Sequence, residues 1–326
     1  MKPDLAIIIV NWNGGEFVVR CLDSLARFPP QVAHEIVVVD NASTDGSREW
    51  LESLGGRIRL IANEENIGFG RANNQAFAIV ETPLLFLLNS DAEVYEGAID
   101  KLIATIREDE RIGAAGPRLL NPDGTLQASV WRNPLTPLEM IATTLRLYKL
   151  LPRRVRGEWL LGFHWDHSHR RRATMLSGAA LMVRRKMIDA VGGFDESFHM
   201  YGEDIEWSLR MVRAGWWMIF EPAATVLHHE GKSAARRWTD LEKREREYEG
   251  FFRFQRLHLT KGLAIGNLLT GYLLSLVRHP WLVLRRQPLD ETRLERRLYG
   301  SELRRTLFAR DTGIAEVPAQ VAKRPL

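Results

Sequence analysis

The sequence predicts an α/β fold, a mostly parallel central sheet with helices on both faces, followed by a C-terminal helical extension. Two observations in the first half predict the sheet. Short apolar runs alternate with segments of helical spacing, and a run such as LLFLL (84–88) has no polar position on either face. Strands that are apolar on both sides are buried between helices, and strand–helix alternation implies parallel strands joined by right-handed crossovers.

The elements of the first half follow in order along the chain. The helix predicted at 16–28 places Phe17, Cys21, Leu22, Leu25 and Phe28 on one face. The helix that follows the second strand should end at the glycine pair 55–56. Strands are predicted at 5–10, 35–40, 57–62 and 84–89, and helices at 16–28, 47–54, 70–81 and 98–109, with a further apolar run at 112–116.

The second half is less regular. We predict a turn leading into a strand at 121–131, a long surface excursion at 146–172, a strand at 173–185, a helix at 203–215, and strands at 216–221 and 224–229. The tail contains an apolar run at 262–277, flanked by Lys261 and Arg278. A spanning helix needs about 20 apolar residues. The run is shorter, so an interfacial membrane helix and a packing helix remain open alternatives.

Composition narrows the class of protein. Among 326 residues the apolar share is 45% and the net charge is +4, which is typical of a globular protein. Basic residues gather at 146–156, at 169–172 and in the last third, and an anionic partner such as a phosphate-bearing substrate or a membrane surface would suit them. No nucleic-acid motif accompanies them, so no nucleic acid is expected. The single cysteine excludes an internal disulfide and, with no signal peptide apparent, predicts a cytoplasmic protein.

Polar residues follow each of the first four predicted strands. Ligands bind beyond the carboxyl ends of strands in an open parallel sheet, so these segments should converge. Asp40 and Asp45 both suit turns or helix caps. We interpret Asp40 as a ligand residue, because its carboxylate can accept hydrogen bonds from a ribose or a base, and leave both interpretations open for Asp45. The segment GFGRANN (68–74) lacks the third glycine of a dinucleotide-binding loop and the lysine of a P-loop.

Two further groups of residues have side chains that suit metal binding or catalysis. Asp91 ends the fourth strand, and His228 and His229 end the last predicted strand. A carboxylate and an imidazole suit Mn²⁺ or Mg²⁺ bound to the oxygens of a diphosphate, although a strand-end acid and a surface histidine are common without any metal. Glu203 and Asp204 open a helix. The helix dipole favours acids there, and an acid held beside a sugar site also suits a general base.

Taken together, the motifs resemble the family 2 glycosyltransferases with their GT-A fold, in particular a rhamnosyltransferase-like subgroup. The matching segments are IIIVNWNG, IVVVDNASTDGS, NEENIGFGRANNQA, LLFLLNSDAEV, LSGAALMVRR, GGFDESFHMYGEDIEWSLRMVRAGW and VLHHEGKS. The resemblance covers about residues 5–234. It implies a catalytic domain at 1–235, with a nucleotide-binding half (1–116) and an acceptor-binding half (117–235). Residues 236–326 would form the basic helical extension.

The resemblance also implies roles for particular residues. Asp204 would be the catalytic base, with Glu203 beside it, and Asp91 and His228, rather than His229, would hold the metal. Gly178 and Trp207 would bind the acceptor. The segment 89–91 stands where the family has Asp-x-Asp, so its first position is an amide. The implied nucleotide-sugar site consists of Asn11, Asn13, Asp40, Asn41, Asp45, Asn66, Gly68, Arg71, Asn89 and Ser90.

The implied activity is an inverting, Mn²⁺- or Mg²⁺-dependent transfer of a sugar to a hydroxyl of a glycan or lipid-linked glycan in surface polysaccharide or cell-wall synthesis. The resemblance favours dTDP-rhamnose as donor, with UDP- and GDP-sugars behind it. A nucleotidyltransferase and a non-catalytic binding subunit of the same fold are the alternatives. Peripheral contact of the extension with the inner face of the cell membrane would suit a lipid-linked acceptor.

Overall fold

A computed structural model describes residues 2–130, 136–152, 155–157, 161–162, 165–198, 200–229, 239–284 and 289–308. Packing divides the chain into two compact units. The first contains residues 1–132 and 157–237, and the second contains 133–156 and 238–326. The boundary expected at 235 falls outside the described residues, and the division into a catalytic domain and an extension stays a prediction.

The first unit is built on one mixed sheet in the order β3-β2-β1-β4-β9-β6-β10-β5, with β7 beside β6 and β8 beside β10. The strands are β1 (Leu5–Asn11), β2 (His34–Asn41), β3 (Arg59–Asn63), β4 (Leu84–Asn89), β5 (Ala92–Val94), β6 (Ile112–Leu120), β7 (Leu126–Gln127), β8 (Arg171–Ala173), β9 (Ala180–Arg184) and β10 (Trp217–His228).

The predicted α/β fold is confirmed, and a run of four parallel strands lies within residues 1–116, the half predicted to bind the nucleotide. Strands β3, β2, β1 and β4 are parallel neighbours, as the strand–helix alternation predicts. Beyond β4 the sheet changes character, because β9 pairs antiparallel with both β4 and β6. Sequence periodicity alone does not show strand direction, which depends on how the connection returns to the sheet.

Helices cover both faces of the sheet, which explains the apolar strands. Ile7 and Ile9 of β1 pack with α1 and α4, whereas Ala6 and Ile8 pack with α3 and α7. The helices of this unit are α1 (Glu16–Arg27), α2 (Ser47–Ser53), α3 (Phe69–Ile79), α4 (Ala98–Arg107), α6 (Arg185–Val191) and α7 (Glu203–Arg213). The other helices belong to the second unit.

The last strand corrects one sequence expectation. We predicted two strands at 216–221 and 224–229, but the structure has a single strand, β10, whose pairing with β6 shifts between Glu221 and Thr225. Pro222 lies in this interval and has no N–H to donate, so the ladder is interrupted without ending the strand. The continuous strand carries His228 to the end of the sheet.

The second unit consists of helices α5 (Pro137–Thr144), α8 (Asp240–His258), α9 (Lys261–Leu284) and α10 (Asp290–Phe308) and a 3₁₀ turn, Leu147–Leu150. Its core contains Met140, Phe252, Leu268 and Tyr299, one residue from each helix. The apolar run at 262–277 lies within α9. No helix among the described residues has the length and apolarity needed to cross a membrane.

Candidate functional site

The carboxyl ends of the parallel strands bring the predicted polar residues together. In the register of the sheet, Asn11 of β1 is the partner of Asp40 in β2, and Asn41 is the partner of Asn63 in β3. Asn89 ends β4 beside Val10. Side chains from four strands therefore lie along one edge, as the sequence predicts.

Asp40 lies at the centre of a buried hydrogen-bond network. Its Oδ2 accepts from Asn11 Nδ2 at 2.8 Å and from Ser43 Oγ at 2.6 Å, and its Oδ1 accepts from Ser43 N at 2.9 Å. The side chain has no exposed surface. In this structure Asp40 organises the loop that follows β2, and its direct contact with a nucleotide stays a prediction. Ser43 was not among the predicted site residues; its only sequence signal is its place in a turn-rich segment.

The loops after β1 and β2 are tied together. Asn13 has a positive φ of 50°, and its Oδ1 accepts from Thr44 N at 2.7 Å. Asn11 Oδ1 is buried without a hydrogen-bond partner. Gly14 makes this arrangement possible, because a Cβ at residue 14 would lie 2.2 Å from Asn11 Oδ1. The absence of a side chain at Gly14 leaves space beside Asn11 Oδ1, the acceptor without a partner.

The predicted nucleotide residues after β2 and β3 adopt turn and cap geometry. Asp45 Oδ1 accepts from Ser47 N at 3.1 Å and from Ser47 Oγ at 2.6 Å, at the start of α2. The contact forms a turn ahead of α2, whose N-cap residue is Gly46, and both interpretations of Asp45 stay predictions. Asn66 Oδ1 accepts from Gly68 N, and Gly68 O accepts from Asn41 Nδ2. Gly68 has a φ of 91° and precedes α3, a conformation that favours glycine.

Arg71 lies on the first turn of α3 and is half exposed. Its Nε is 3.4 Å from Glu196 Oε2, an exposed pair from a distant part of the chain. Such a pair contributes at most about 1 kcal/mol, so a phosphate group can compete for the guanidinium. Glu196 was not predicted as a site residue, and nothing in the spacing of the sequence connects it with Arg71.

Asp91 and His228 lie side by side although 137 positions separate them in the sequence. Asp91 Oδ1 is 3.2 Å from His228 Nε2, and both side chains are about nine-tenths buried. Burial alone would raise the pKa of Asp91, but a protonated His228, which donates a hydrogen bond from Nε2 and carries a positive charge, outweighs burial and lowers that pKa. His229 points elsewhere, because adjacent strand residues face opposite sides, and it contacts Glu93 Oε1 at 2.7 Å.

Gln127 fixes the orientation of His228. His228 Nδ1 donates to Gln127 Oε1 at 2.7 Å, and Gln127 Nε2 donates to Asn121 Oδ1 at 3.0 Å. Because Oε1 can only accept, the proton of a neutral imidazole belongs on Nδ1 and the lone pair on Nε2. Gln127 was missed by the sequence analysis, since it lies on a two-residue strand, β7, without a motif.

The residues around Nε2 fit a divalent cation. With the proton on Nδ1, Nε2 and Asp91 Oδ1 are two acceptors 3.2 Å apart, an arrangement that a cation or an added proton must stabilise. Asn89 Nδ2 lies 3.3 Å from Nε2, and its buried Oδ1 has no partner. Among the described residues no three His, Cys, Asp or Glu side chains form a metal-binding group. Ligands of this kind suit Mg²⁺ or Mn²⁺ only when phosphate and water supply the remaining ligands.

Glu203 and Asp204 form the second acidic part of the site at the start of α7. Burial, followed by repulsion from Asp204, raises the pKa of Glu203 to about 8. Burial also raises the pKa of Asp204, whose oxygens accept from Ile205 N at 2.8 Å and from Gly178 N at 3.4 Å. Both carboxyl groups therefore hold a proton more readily than an exposed acid does, because burial disfavours the charged form.

One short segment connects the acidic pair with the metal-site residues. Gly178 N contacts Asp204, and the next residue, Ala179, accepts through its carbonyl from Asn89 N at 2.9 Å. A Cβ at position 178 would lie 3.4 Å from Asp204 Cβ, so glycine leaves room beside the carboxylate. Ser90, also predicted, is buried next to Asn89. The ends of β4 and β10 and the start of α7 therefore lie in one region.

Trp207, which the resemblance predicts to bind the acceptor, is buried, and only 1% of its surface is exposed. Its ring packs against Phe77 and Phe194, and its Nε1 donates to Gly192 O at 2.9 Å. Because these rings cover the indole, Trp207 would support an acceptor site by holding α7 in place, and its role toward the acceptor stays a prediction. Spacing along a helix places residues on a face but does not show what covers that face.

Comparison with known proteins identifies the family of the chain. Residues 6–191 match the model for "Glycosyl transferase family 2", and residues 146–289 match "Glycosyl transferase family group 2". The chain is 29% identical over 249 residues to N-acetylglucosaminyl-diphospho-decaprenol L-rhamnosyltransferase of Mycobacterium tuberculosis, covering 72% of this chain and 79% of the relative. It is 28% identical to the low-salt glycan biosynthesis hexosyltransferase Agl10 of Haloferax volcanii, covering 65% and 63%.

Solved structures show the same fold. GalNAc-T7 with UDP, GalNAc and Mn²⁺ superposes with a TM-score of 0.56 at 16% identity, over 94% of this chain and 56% of that one. The mannosyltransferase PcManGT of Pyrobaculum calidifontis, solved with GDP-Man and Mn²⁺, gives a TM-score of 0.52 at 16% identity, over 94% and 88%. The match to more than half of the chain, in the region that contains the strand-end residues, shows that this protein belongs to glycosyltransferase family 2 and is a glycosyltransferase.

Proposed function

We propose that this glycosyltransferase is an inverting, metal-dependent enzyme that moves a sugar from a nucleoside diphosphate to a hydroxyl of a glycan or lipid-linked glycan. The observation that carries the proposal is the meeting of two kinds of acid in one region. Asp91 Oδ1 lies 3.2 Å from His228 Nε2 in a buried pair, while Asp204, near Gly178 and Asn89, has a raised pKa. One suits binding of a cation and the other suits proton transfer.

Asp204 is the proposed base. It takes the proton of the acceptor hydroxyl as the hydroxyl oxygen forms a bond to the anomeric carbon, and the bond from that carbon to the diphosphate oxygen breaks. Attack from the face opposite the diphosphate inverts the anomeric configuration in one displacement. Gly178 leaves space beside Asp204 for the acceptor. Arg71, which is half exposed, stabilises the negative charge that develops on the departing diphosphate.

Asp91, His228 and the amide oxygen of Asn89 would hold the divalent cation, Mn²⁺ or Mg²⁺. When bound, the cation neutralises charge on the diphosphate. The residues of the chain prepare the site for it. Gln127 keeps the lone pair of His228 Nε2 directed at Asp91, and burial of both side chains limits competition from water.

The donor and the acceptor are inferred from the relatives. The rhamnosyltransferase of Mycobacterium tuberculosis supports a rhamnosyl donor, for which dTDP-rhamnose is our first choice, and a lipid-linked acceptor. GalNAc-T7 and PcManGT were solved with UDP and with GDP-Man, so UDP- and GDP-sugars are the competing donors. The nucleotide would bind at the edge formed by the ends of β1, β2 and β3. We place the reaction in the cytoplasm, in synthesis of surface polysaccharide or cell wall.

The replacement Asp204→Asn tests the assigned base. We expect it to reduce transfer by at least about 10³-fold, because the amide cannot take the proton, while the variant binds the nucleoside diphosphate with Mn²⁺ as the wild type does. Transfer is measured as release of nucleoside diphosphate from a panel of dTDP-, UDP- and GDP-sugars with an acceptor, and binding by calorimetry. Asp189→Asn, an exposed acid on α6, is the matched control.

Near-normal transfer by Asp204→Asn would remove this residue from the mechanism. The same assay distinguishes the proposed glycosyl transfer from the nucleotidyltransferase alternative. That reaction joins a nucleoside triphosphate to a sugar phosphate and releases pyrophosphate. Pyrophosphate release without any release of nucleoside diphosphate would overturn the proposed function.

A further inference from the structure

The helix α9 is apolar on the side that faces away from its own unit. Leu269, Leu273, Leu276, Val277, Val283 and Leu284, which we call the apolar stripe, are all exposed, with values from 37% for Leu276 to 83% for Leu284. At about 100° per residue they fall on one face of the helix, together with Pro280. Because each residue adds about 1.5 Å, the stripe is about 22 Å long.

The opposite face of α9 is where the helix packs. Ala264, Asn267, Leu268, Gly271 and Ser275 are buried, and two of these five side chains are polar. An ordinary surface helix has its apolar residues inside and polar residues outside. On α9 the outward face consists of the aliphatic residues of the apolar stripe, together with Pro280. A continuous apolar surface of this kind indicates a contact with another apolar phase.

A second segment of the same unit, which packs on α9, carries exposed cations. The helix α5 packs on α9, and Pro137 Cγ lies 3.4 Å from where a Cβ on Gly266 would be. Along α5 and the 3₁₀ turn that follows, Leu138, Leu145, Leu147 and Leu150 are exposed, with values from 44% to 83%. Arg146 and Lys149 are exposed between these leucines. We call this the basic segment; residues 140–157 contain five Lys and Arg and no Asp or Glu.

We propose that the second unit docks on an anionic lipid bilayer, with the apolar stripe among the acyl chains and the basic segment against the lipid phosphates. A bilayer interface offers hydrocarbon and negative charge within a few ångströms of each other, and amphipathic helices bury their apolar face about 5–10 Å into it. Exposed leucines that alternate with cations suit contact with hydrocarbon and with negative charge at the same time. Docking holds the enzyme on the surface in which a lipid-linked acceptor would lie.

Charge complementarity distinguishes the bilayer from a second copy of the chain. A partner protein that covered the basic segment would have to bring acids to Arg146 and Lys149, and the segment itself contains none from residue 140 to 157. The acid nearest before it, Glu139, already caps α5 through Thr136. A symmetric pair of these surfaces would therefore bring cations together rather than neutralise them.

The test measures partition of the full chain onto vesicles without any substrate, so its outcome is independent of the proposed reaction. One set of vesicles is phosphatidylcholine, and the other contains about one third phosphatidylglycerol. We expect sedimentation with the anionic vesicles. Leu273→Glu/Val277→Glu should reduce that partition at least about tenfold, because each substitution puts a charge in place of aliphatic surface that the acyl chains would cover. Arg146→Glu/Lys149→Glu should reduce the preference for anionic over neutral vesicles by a similar factor.

Matched variants control for the added charge. Leu241→Glu/Leu257→Glu changes two exposed leucines of α8 in the same unit, with 42% and 41% exposure. Arg27→Glu/Arg57→Glu reverses two exposed cations of the first unit. Both pairs should partition as the wild type does. If the glutamate pair in α9 does not fold, as judged by circular dichroism, Leu273→Ser/Val277→Ser makes the same test with smaller polar groups.

Three results would overturn the proposal. In the first, the wild type remains in the supernatant with both vesicle types. In the second, both stripe variants partition as the wild type does. In the third, the wild type is a dimer by sedimentation velocity and the stripe variants are monomers without a change in partition, in which case the stripe binds a second copy. Release of nucleoside diphosphate with a soluble acceptor should be unchanged in the stripe variants. Loss of membrane docking and loss of the proposed reaction are therefore distinguishable.

Discussion

The imidazole of His228 contacts Gln127 through one nitrogen and Asp91 through the other, and each contact constrains the other. The bond of 2.7 Å to Gln127 Oε1 places the proton on Nδ1. Gln127 cannot rotate to present its amide nitrogen without losing its own bond to Asn121. A residue two contacts away thus determines which nitrogen faces the proposed cation, which is how outer groups tune a metal ligand.

Gln127→Ala tests this role. We expect Mn²⁺ binding, measured by calorimetry or electron paramagnetic resonance in the presence of the nucleoside diphosphate, to weaken about 10–100-fold, because the imidazole loses its fixed orientation. Gln127→Glu keeps an acceptor and should retain more of the affinity. Gln31→Ala, which changes an exposed glutamine, should have no effect. Equal Mn²⁺ affinity in Gln127→Ala and the wild type would contradict the assigned role.

Glu203 should make the stability of the protein depend on pH. Its pKa rises from an ordinary value of 4.5 to about 8 in the folded state, so between these values the folded chain binds more protons than the unfolded chain. Stability therefore falls as pH rises from about 4.5 to about 8. Glu203→Gln removes this dependence and should raise the free energy of unfolding at pH 8 by at least about 1 kcal/mol, and by less at pH 5.

Urea unfolding of both proteins at pH 5 and pH 8 measures the effect. Glu49→Gln, which changes an exposed acid on α2, is the control. A stability difference between Glu203→Gln and the wild type that is the same at both pH values would show one of two things. Either Glu203 is already charged in the folded protein, or the glutamine side chain of the variant is accommodated for reasons unrelated to protonation.

At the scale of the secondary-structure elements, close packing depends on glycine at specific places. Helix α9 contacts α10 across Gly271, where an added Cβ would lie 2.3 Å from the ring of Tyr299. Tyr299 is itself 7% exposed and belongs to the core of the second unit. In a helix, alanine is otherwise preferred over glycine by about 1 kcal/mol. The presence of glycine at 271 is explained by the contact and not by helix propensity.

Gly271→Ala should destabilise the second unit by about 1–3 kcal/mol, because overpacking forces the tyrosine ring or the helix to move. Gly262→Ala is a matched control in the same helix, since a Cβ there meets no atom within 4 Å. It should be neutral or slightly stabilising. Thermal unfolding followed by circular dichroism measures both. Equal melting temperatures for the two variants would mean that α9 and α10 are separated more widely than in this structure.

At the scale of the whole molecule, ligand binding should raise the stability of the folded protein. A ligand that binds only the native state stabilises the protein by mass action. We expect a nucleoside diphosphate and Mn²⁺ together to raise the melting temperature more than either alone, because the cation takes ligands both from the protein and from the phosphates. Addition of EDTA should remove this increment.

His228→Ala should abolish the Mn²⁺-dependent part of the thermal shift, whereas His34→Ala, at the start of β2 and so at the opposite end of that strand from Asp40, should retain it. The preferred base among dTDP, UDP and GDP also emerges from this measurement. A full Mn²⁺ increment in His228→Ala would contradict the assignment of His228 as a ligand.

Much of the first unit was accessible from the sequence. The strands β1 to β4 and the helices between them were predicted because each is short, strongly periodic and bounded by turn residues. The strand-end residues follow from the same pattern, since parallel strands carry their carboxyl ends to one edge. The motifs also identified the family. These features depend on local order along the chain, which a sequence contains directly.

Contacts between distant segments needed the tertiary structure. The pairing of Gln127 with His228, the burial of Trp207 and the antiparallel position of β9 all bring together residues that lie far apart in the chain. The sequence shows that α9 is apolar, and only the packing of α5 and α10 shows which face they cover. A pattern of side chains determines the elements and their faces, but the partner of each face is chosen by the fold.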